Sequence, residues 1–168
     1  MLRYVVIVLF FVATLPLVPH FLAEMTPQTD DGEMSEEPGQ AERANGPVHR
    51  IMKRADGSYR LEGQVNGRKV EMLVDTGASH VALPQTVARK AGIFLQPSDF
   101  KIEVRTANGS TRAAPTRLRE IEIGRIHLKN IDALVLDDDA LSVTLLGMSA
   151  LHKLDRFDFS NDTLLLVQ

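Results

Sequence analysis

Cysteine is absent from this chain of 168 residues, which excludes disulfides and thiolate chemistry and leaves the redox compartment open. An excess of one charge sign is missing too: 19 Lys and Arg stand against 22 Asp and Glu. The imbalance is local. Residues 24–47 hold Glu24, Asp30, Asp31, Glu33, Glu36, Glu37 and Glu42 against Arg43 alone, and the remainder is close to neutral. Nothing there makes a basic nucleic-acid footprint, and aromatics, at 5%, are not interleaved with bases as single-strand binders require. No nucleic-acid partner is expected. His49, His80, His127 and His152 lack metal-ligand spacing, and there is no Walker loop or dinucleotide turn. Asp137-Asp138-Asp139 has no further ligand spacing and reads as a solvated acidic turn. No metal and no cofactor are expected.

What is present begins with one long hydrophobic run. Tyr4 to Val18 is apolar apart from Thr14 and Pro16, and Phe21-Leu22-Ala23 extends it toward the roughly twenty residues that cross a bilayer. Arg3 ahead of the run and the acids behind it favour an N-terminus-inside orientation. No clean Ala-x-Ala precedes a cleavage point. Residues 1–23 are therefore expected as an uncleaved single-pass anchor, with a cleaved signal as the alternative. Residues 24–50 are rich in Glu, Asp, Pro, Gly and Gln with few large apolar side chains, so burial cannot offset the entropy of ordering them. They read as an acidic disordered linker, and residues 51–168 as one folded domain.

That domain reads as all-β with short helices. Tyr59–Val65 alternates, Asn66-Gly67 supplies a hairpin turn, and Lys69–Val74 returns with Val70, Met72 and Val74 on one face. Pro84 opens a helix over residues 85–91, and Gly92 suits its C-terminal end. Strands follow over 101–106 and 111–118, joined at a polar Asn108-Gly109 turn. Further strands are expected around Glu120–Ile126, Ile131–Leu136, Phe157–Phe159 and Thr163–Val167, with a helix over Met148–Leu154. Leu145-Leu146-Gly147 stands in the second half where Leu73-Val74-Asp75-Thr76-Gly77 stands in the first. Two such halves suggest a small closed β domain.

The segment Val74-Asp75-Thr76-Gly77-Ala78-Ser79 places an ionisable side chain at the end of an apolar strand, which costs free energy unless the group is paired or used. In order, Leu73–Ser79, the helix ending near Gly92, Thr106-Ala107-Asn108-Gly109 and Leu145-Leu146-Gly147-Met148 resemble the retropepsin-like aspartic proteases, in particular a bacterial branch with an N-terminal membrane segment and an exported domain. The resemblance covers roughly Tyr59 to Val167. It implies a symmetric homodimer with its active site on the two-fold axis. Because the chain has one Asp-Thr-Gly, the second aspartate would come from a second copy.

The resemblance also distributes roles. Asp75 would be the catalytic residue: as in aspartic proteases generally, two carboxylates share one proton, activate water and protonate the leaving amide. Thr76, Gly77, Ala78 and Ser79 would form the active-site loop, with the Thr76 hydroxyl bonding across the dimer. Ala107, Asn108 and Gly109 would form a flap over substrate, and Leu145, Leu146 and Gly147 would support the loop from beside it. The implied function is hydrolysis of extended polypeptides, envelope or membrane proteins among them. The implied place is the bacterial inner membrane, with the domain in the periplasm, or secretion there after signal cleavage. The rival reading is a catalytically silent binding or dimerisation module of the same fold.

Overall fold

A computed structural model describes residues 46–106 and 109–168. The chain divides into two units, Met1–Ala41 and Glu42–Gln168, and every described residue belongs to the second. The expected anchor and most of the expected linker lie outside the described residues. Among the described residues, no helix is long and apolar enough to cross a membrane.

Among the described residues, ten strands make two sheets. β1 (Val48–Met52), β9 (Arg156–Ser160) and β10 (Thr163–Val167) form a small antiparallel sheet in the order β1-β10-β9. β2 (Arg60–Val65), β3 (Arg68–Val74), β4 (Val81–Pro84), β5 (Ile102–Thr106), β6 (Gly109–Ile123), β7 (Ile126–Leu136) and β8 (Thr144–Leu146) form the larger one, ordered β2-β3-β8-β4-β7-β6-β5. Pairing of Gln64 and Val65 with Glu122 and Ile121 joins β2 to β6 and closes six of these strands into a barrel, leaving β5 outside it. Closure removes the free edges that the barrel strands would otherwise expose. Two short helices, α1 (Gln85–Lys90) and α2 (Met148–Leu151), follow β4 and β8.

The hairpin β2–β3 forms as its alternation predicts. Asn66 and Gly67 take φ of 50° and 80°, the left-handed pair of a two-residue turn whose twist matches the strands. Leu61, Val65, Val70 and Met72 enter the barrel core with Leu118, Ile121, Ile131 and Leu146. In β7 the buried set changes phase, from Ile126 and Leu128 to Ile131, Ala133 and Val135. Asn130, at φ 54°, lies at this change, and the pairing with β6 keeps one register on both sides of it. The small sheet adds Ile51, Leu164 and Leu166 to the same core.

Several elements differ from the sequence expectation. β1 starts at Val48, three residues inside the segment expected as linker, because its main chain pairs with β10 from Val48↔Val167 onward. β4 was not expected at all. All four of its residues are buried, with Val81 and Leu83 in the main core and Ala82 in a second apolar cluster, so no polar alternation marks it as a strand. The separate segments expected over 111–118 and from Glu120 are one strand running through Pro115, and α2 stops at Leu151.

The internal repeat is real, but its halves correspond differently. Hairpin β2–β3, then β4 and α1, is matched by hairpin β6–β7, then β8 and α2. The halves interlock through two parallel pairings, β3 with β8 and β4 with β7. Leu73 and Val74 therefore lie beside Leu145 and Leu146 as neighbours in register, not at equivalent places in the two halves.

Candidate active site

The parallel β3–β8 pair delivers two chain ends to one place. β3 ends at Val74, and the N–H of Asp75 still donates to the Leu146 carbonyl at 3.2 Å, so the ladder holds the first residue of the loop. The chain then turns: Ala78 N–H donates to the Asp75 carbonyl at 3.3 Å, and Gly77 N–H donates to Asp75 Oδ1 at 2.9 Å. The second bond orients the carboxylate. Asp75 is half-buried, whereas Thr76 and Gly77 are exposed.

The rest of the loop lies on the start of α2. Met148 N–H donates to Ala78 O at 2.8 Å and Ser149 N–H to Ser79 O at 3.1 Å. These bonds satisfy donors that a helix start would otherwise leave free. Gly147 is confined between the carbonyls of Ala78 and His80: a Cβ there would stand 2.7 Å from Ala78 O and closer still to His80 O. The Ser149 hydroxyl accepts from Val81 N–H at 2.9 Å and donates to Asp132 O at 2.7 Å, binding β4, α2 and β7 together directly below the loop. Sequence reasoning missed Ser149, and a serine in an apolar helix gives no signal of partners so distant along the chain.

Asp75 opens on a cleft of about 1000 Å³. Gly77, Ala78, Ser79 and His80 continue its rim, and Leu134, Leu136 and Leu145 line it from β7 and β8. Ile102, Val104, Arg105 and Thr106 of β5 form one wall, and residues 139–143 of the β7–β8 loop form another. Apolar side chains around the cleft form a cluster separate from the barrel core: Ala82, Ala113 and Leu136, with Val104, Leu134, Leu141 and Leu145 packed on them. Ile102 remains 40% exposed, an apolar surface available to an occupant. Asp132 also lines the cleft, but its Oδ1 accepts from Arg117 Nε at 2.9 Å.

The residues singled out from sequence are thus distributed unevenly. Asp75, Gly77, Ala78 and Ser79 line the cleft, whereas Thr76 projects outside its lining. Leu145 faces the cleft, Leu146 is buried in the barrel core, and Gly147 lies under the loop. Of the expected flap, Ala107 and Asn108 lie outside the described residues. Gly109 begins β6 opposite Thr106 and is not part of the lining, to which this hairpin contributes β5 together with Pro115 and Thr116 of β6. The acidic run is the exposed turn that was expected, and within it Asp138 Oδ1 accepts from both the N–H and the hydroxyl of Thr86, each at 3.0 Å. Among the described residues, no group of three His, Asp or Glu side chains could hold a metal ion.

A family model described as "gag-polyprotein putative aspartyl protease" matches residues 61–153, which include the loop, the cleft walls and the start of α2. An uncharacterized protein from the cobV 5′ region of Sinorhizobium sp is 40% identical over 116 residues, 69% of this chain and 50% of that protein. An uncharacterized protein of Rickettsia prowazekii (strain Madrid E) is 37% identical over 116 residues, covering 69% of this chain and 49% of its own length. The chain thus spans about half the length of the curated relatives it matches. The crystal structure of a retropepsin-like aspartic protease from Rickettsia conorii superposes with a TM-score of 0.63 at 37% identity, covering 71% of this chain and 89% of that one. The protease of EIAV, complexed with the inhibitor HBY-793, shares the fold at 19% identity and a TM-score of 0.50, over 61% of this chain and 93% of that one. Alike in sequence and in the path of its barrel, the chain belongs to the retropepsin-like aspartic protease family.

Proposed function

We propose that this protein is an aspartic endopeptidase acting as a homodimer, in which the two copies of Asp75 form the catalytic dyad. The observation that carries the reading is the placement of Asp75: an oriented carboxylate at the rim of an apolar cleft, at the end of a strand. One such carboxylate is either ionised or protonated at a given moment, and so offers a base or an acid but not both at once. Two brought together by a two-fold axis share a proton, so one copy takes a proton from water while the other gives one to the departing nitrogen. The pair titrates as a unit, with neither copy fixed as acid or base.

The neighbours have separable tasks in this dimer. Thr76 and Gly77 are exposed at the turn of the loop, which suits contact with the second copy. Gly77 N–H holds the carboxylate in orientation, and Ala78 and Ser79 border the bound chain. The β5–β6 hairpin covers an extended polypeptide, the flap role that the family resemblance gives to Ala107, Asn108 and Gly109. Leu134, Leu141 and Leu145 accept apolar side chains beside the scissile bond. Residues 1–23 anchor the protein in the bacterial inner membrane and residues 24–47 tether the domain in the periplasm. The apolar run at Tyr4–Val18 supports this placement, and extraction of membranes with alkaline carbonate tests it.

Subunit mixing tests the dyad. Full-length protein is co-refolded with an increasing fraction of Asp75→Asn protein at constant total concentration, and cleavage of an unstructured protein is followed. A dyad built from two copies leaves about one quarter of the dimers fully wild type at an equal mixture, so activity falls as the square of the wild-type fraction. A linear fall would place a complete site in each chain. Cleavage that persists in pure Asp75→Asn protein would overturn the assignment. No cleavage by a demonstrated wild-type dimer would favour the silent binding module.

A further inference from the structure

The three consecutive acids after β7 do three different things. Asp137 folds the loop on itself: its Oδ1 accepts from Asp139 N–H at 3.1 Å, and its carbonyl accepts from Ala140 and Leu141 N–H at 3.0 and 3.1 Å. Asp138 reaches out of the loop to the first turn of α1, where Thr86 donates to its Oδ1 from both main chain and side chain. Asp139 lines the cleft. α1 has no side-chain cap from its own N-cap residue, Pro84, so the carboxylate that caps it comes from a loop 52 residues away. The same loop presents Leu141 to the apolar cluster of the cleft.

We propose that Asp138 is a positioning residue for substrate selection: by clamping the β7–β8 loop to Thr86, it holds Leu141 where that side chain completes an apolar subsite. This rests on the endopeptidase reading. The clamp ties together the two halves of the repeat, since α1 follows β4 from the catalytic loop and Asp138 follows β7. A loop folded by Asp137 moves as a unit. Release at Asp138 therefore shifts Leu141 away from Leu134 and Leu145 without disturbing Asp75, which is held by Leu146 and Gly77. The acceptor geometry, not the charge, is what the clamp needs. Asp138→Asn keeps an oxygen acceptor at that place and Asp138→Ala does not.

The test uses the full chain and peptides built on a mapped cleavage site, identical except for Leu or Ala at one position beside the cut. The Leu-over-Ala preference in kcat/KM is compared among wild type, Asp138→Ala, Asp138→Asn, Leu141→Ala and the Asp138→Ala/Leu141→Ala double variant. Asp138→Ala is expected to lower the preference about fivefold or more, through KM on the Leu peptide. Asp138→Asn is expected to retain it. Leu141→Ala should lower it similarly, with the double variant no worse than Leu141→Ala alone, because the two changes act through one contact. An unchanged preference in Asp138→Ala, or an equal loss on Leu and Ala peptides, would overturn the proposal. Hydrogen exchange separates its failure from that of the endopeptidase reading. If wild type cleaves nothing, that reading fails, and Asp138→Ala must still speed exchange of the 139–143 amides but not those of the β6–β7 core; unchanged exchange sinks the clamp.

Discussion

Gly147 presses its bare α-carbon against the carbonyl oxygen of His80, and no side chain fits between them. The backbone of Gly147, at φ −89° and ψ −176°, is one that any residue adopts. Only packing demands glycine here. The contact lets the end of β8 pass directly beneath the loop that carries Asp75, and so fixes how closely the two halves of the repeat approach.

Replacing Gly147 by Ala should therefore destabilise the fold by about 1–3 kcal/mol, because the atoms in the way are main-chain oxygens that cannot turn aside. Urea unfolding measures it. A midpoint equal to that of wild type would mean that the loop tolerates displacement.

Ser149→Ala should cost a comparable amount, about 1–3 kcal/mol, by leaving the Val81 N–H without its acceptor. Val81 is fully buried, so water cannot readily replace the hydroxyl. The Val81 amide should exchange faster in the variant, and cleavage should weaken as the loop loses its support. Wild-type exchange at Val81 would refute this account of the hydroxyl.

Thr144 offers a change of opposite sign. Its side chain is buried, at 1% exposure, and its Oγ1 has no hydrogen-bond partner. Thr144→Val keeps the branched shape suited to β8 while removing an unsatisfied hydroxyl, so it should stabilise by about 1 kcal/mol. The expected signature is a higher urea midpoint at unchanged slope. A lower midpoint would reveal a partner for the hydroxyl.

The turn between β1 and β2 should respond to acid. Asp56 Oδ1 accepts from the Ser58 hydroxyl at 2.6 Å and from its N–H at 2.9 Å, and these bonds hold the carboxyl below its ordinary value, the hydroxyl first. A carboxyl lowered in the folded state stabilises above its unfolded pKa of about 3.9 and ceases to as pH falls through the folded value. Wild type should thus exceed Asp56→Ala in Tm by a small margin at neutral pH, and the margin should vanish in strong acid. A margin that grew in acid would have the wrong sign.

Legibility in the sequence followed the range of the interactions. The β2–β3 hairpin could be read because alternation and the Asn66-Gly67 turn are local and agree. β4 could not, because a strand covered on both faces shows neither period. Asp75 could be singled out from its immediate neighbours. Ser149 and Asp138 could not, since their meaning lies in partners 68 and 52 residues away.

The sequence by itself determined the strand-rich character, the tight turns and the position of one carboxylate at a strand end, because alternation, turn chemistry and the cost of a charge in apolar surroundings act within a few residues. Only the tertiary structure decided that β3 lies against β8 and β4 against β7, which lays one half of the repeat beside the other. It also decided that the cleft wall comes from β5 and the β7–β8 loop, and that an acid in that loop caps a helix in the other half. Those arrangements follow from parallel pairing and burial between distant segments, which depend on which surfaces meet and leave no periodic trace in the chain.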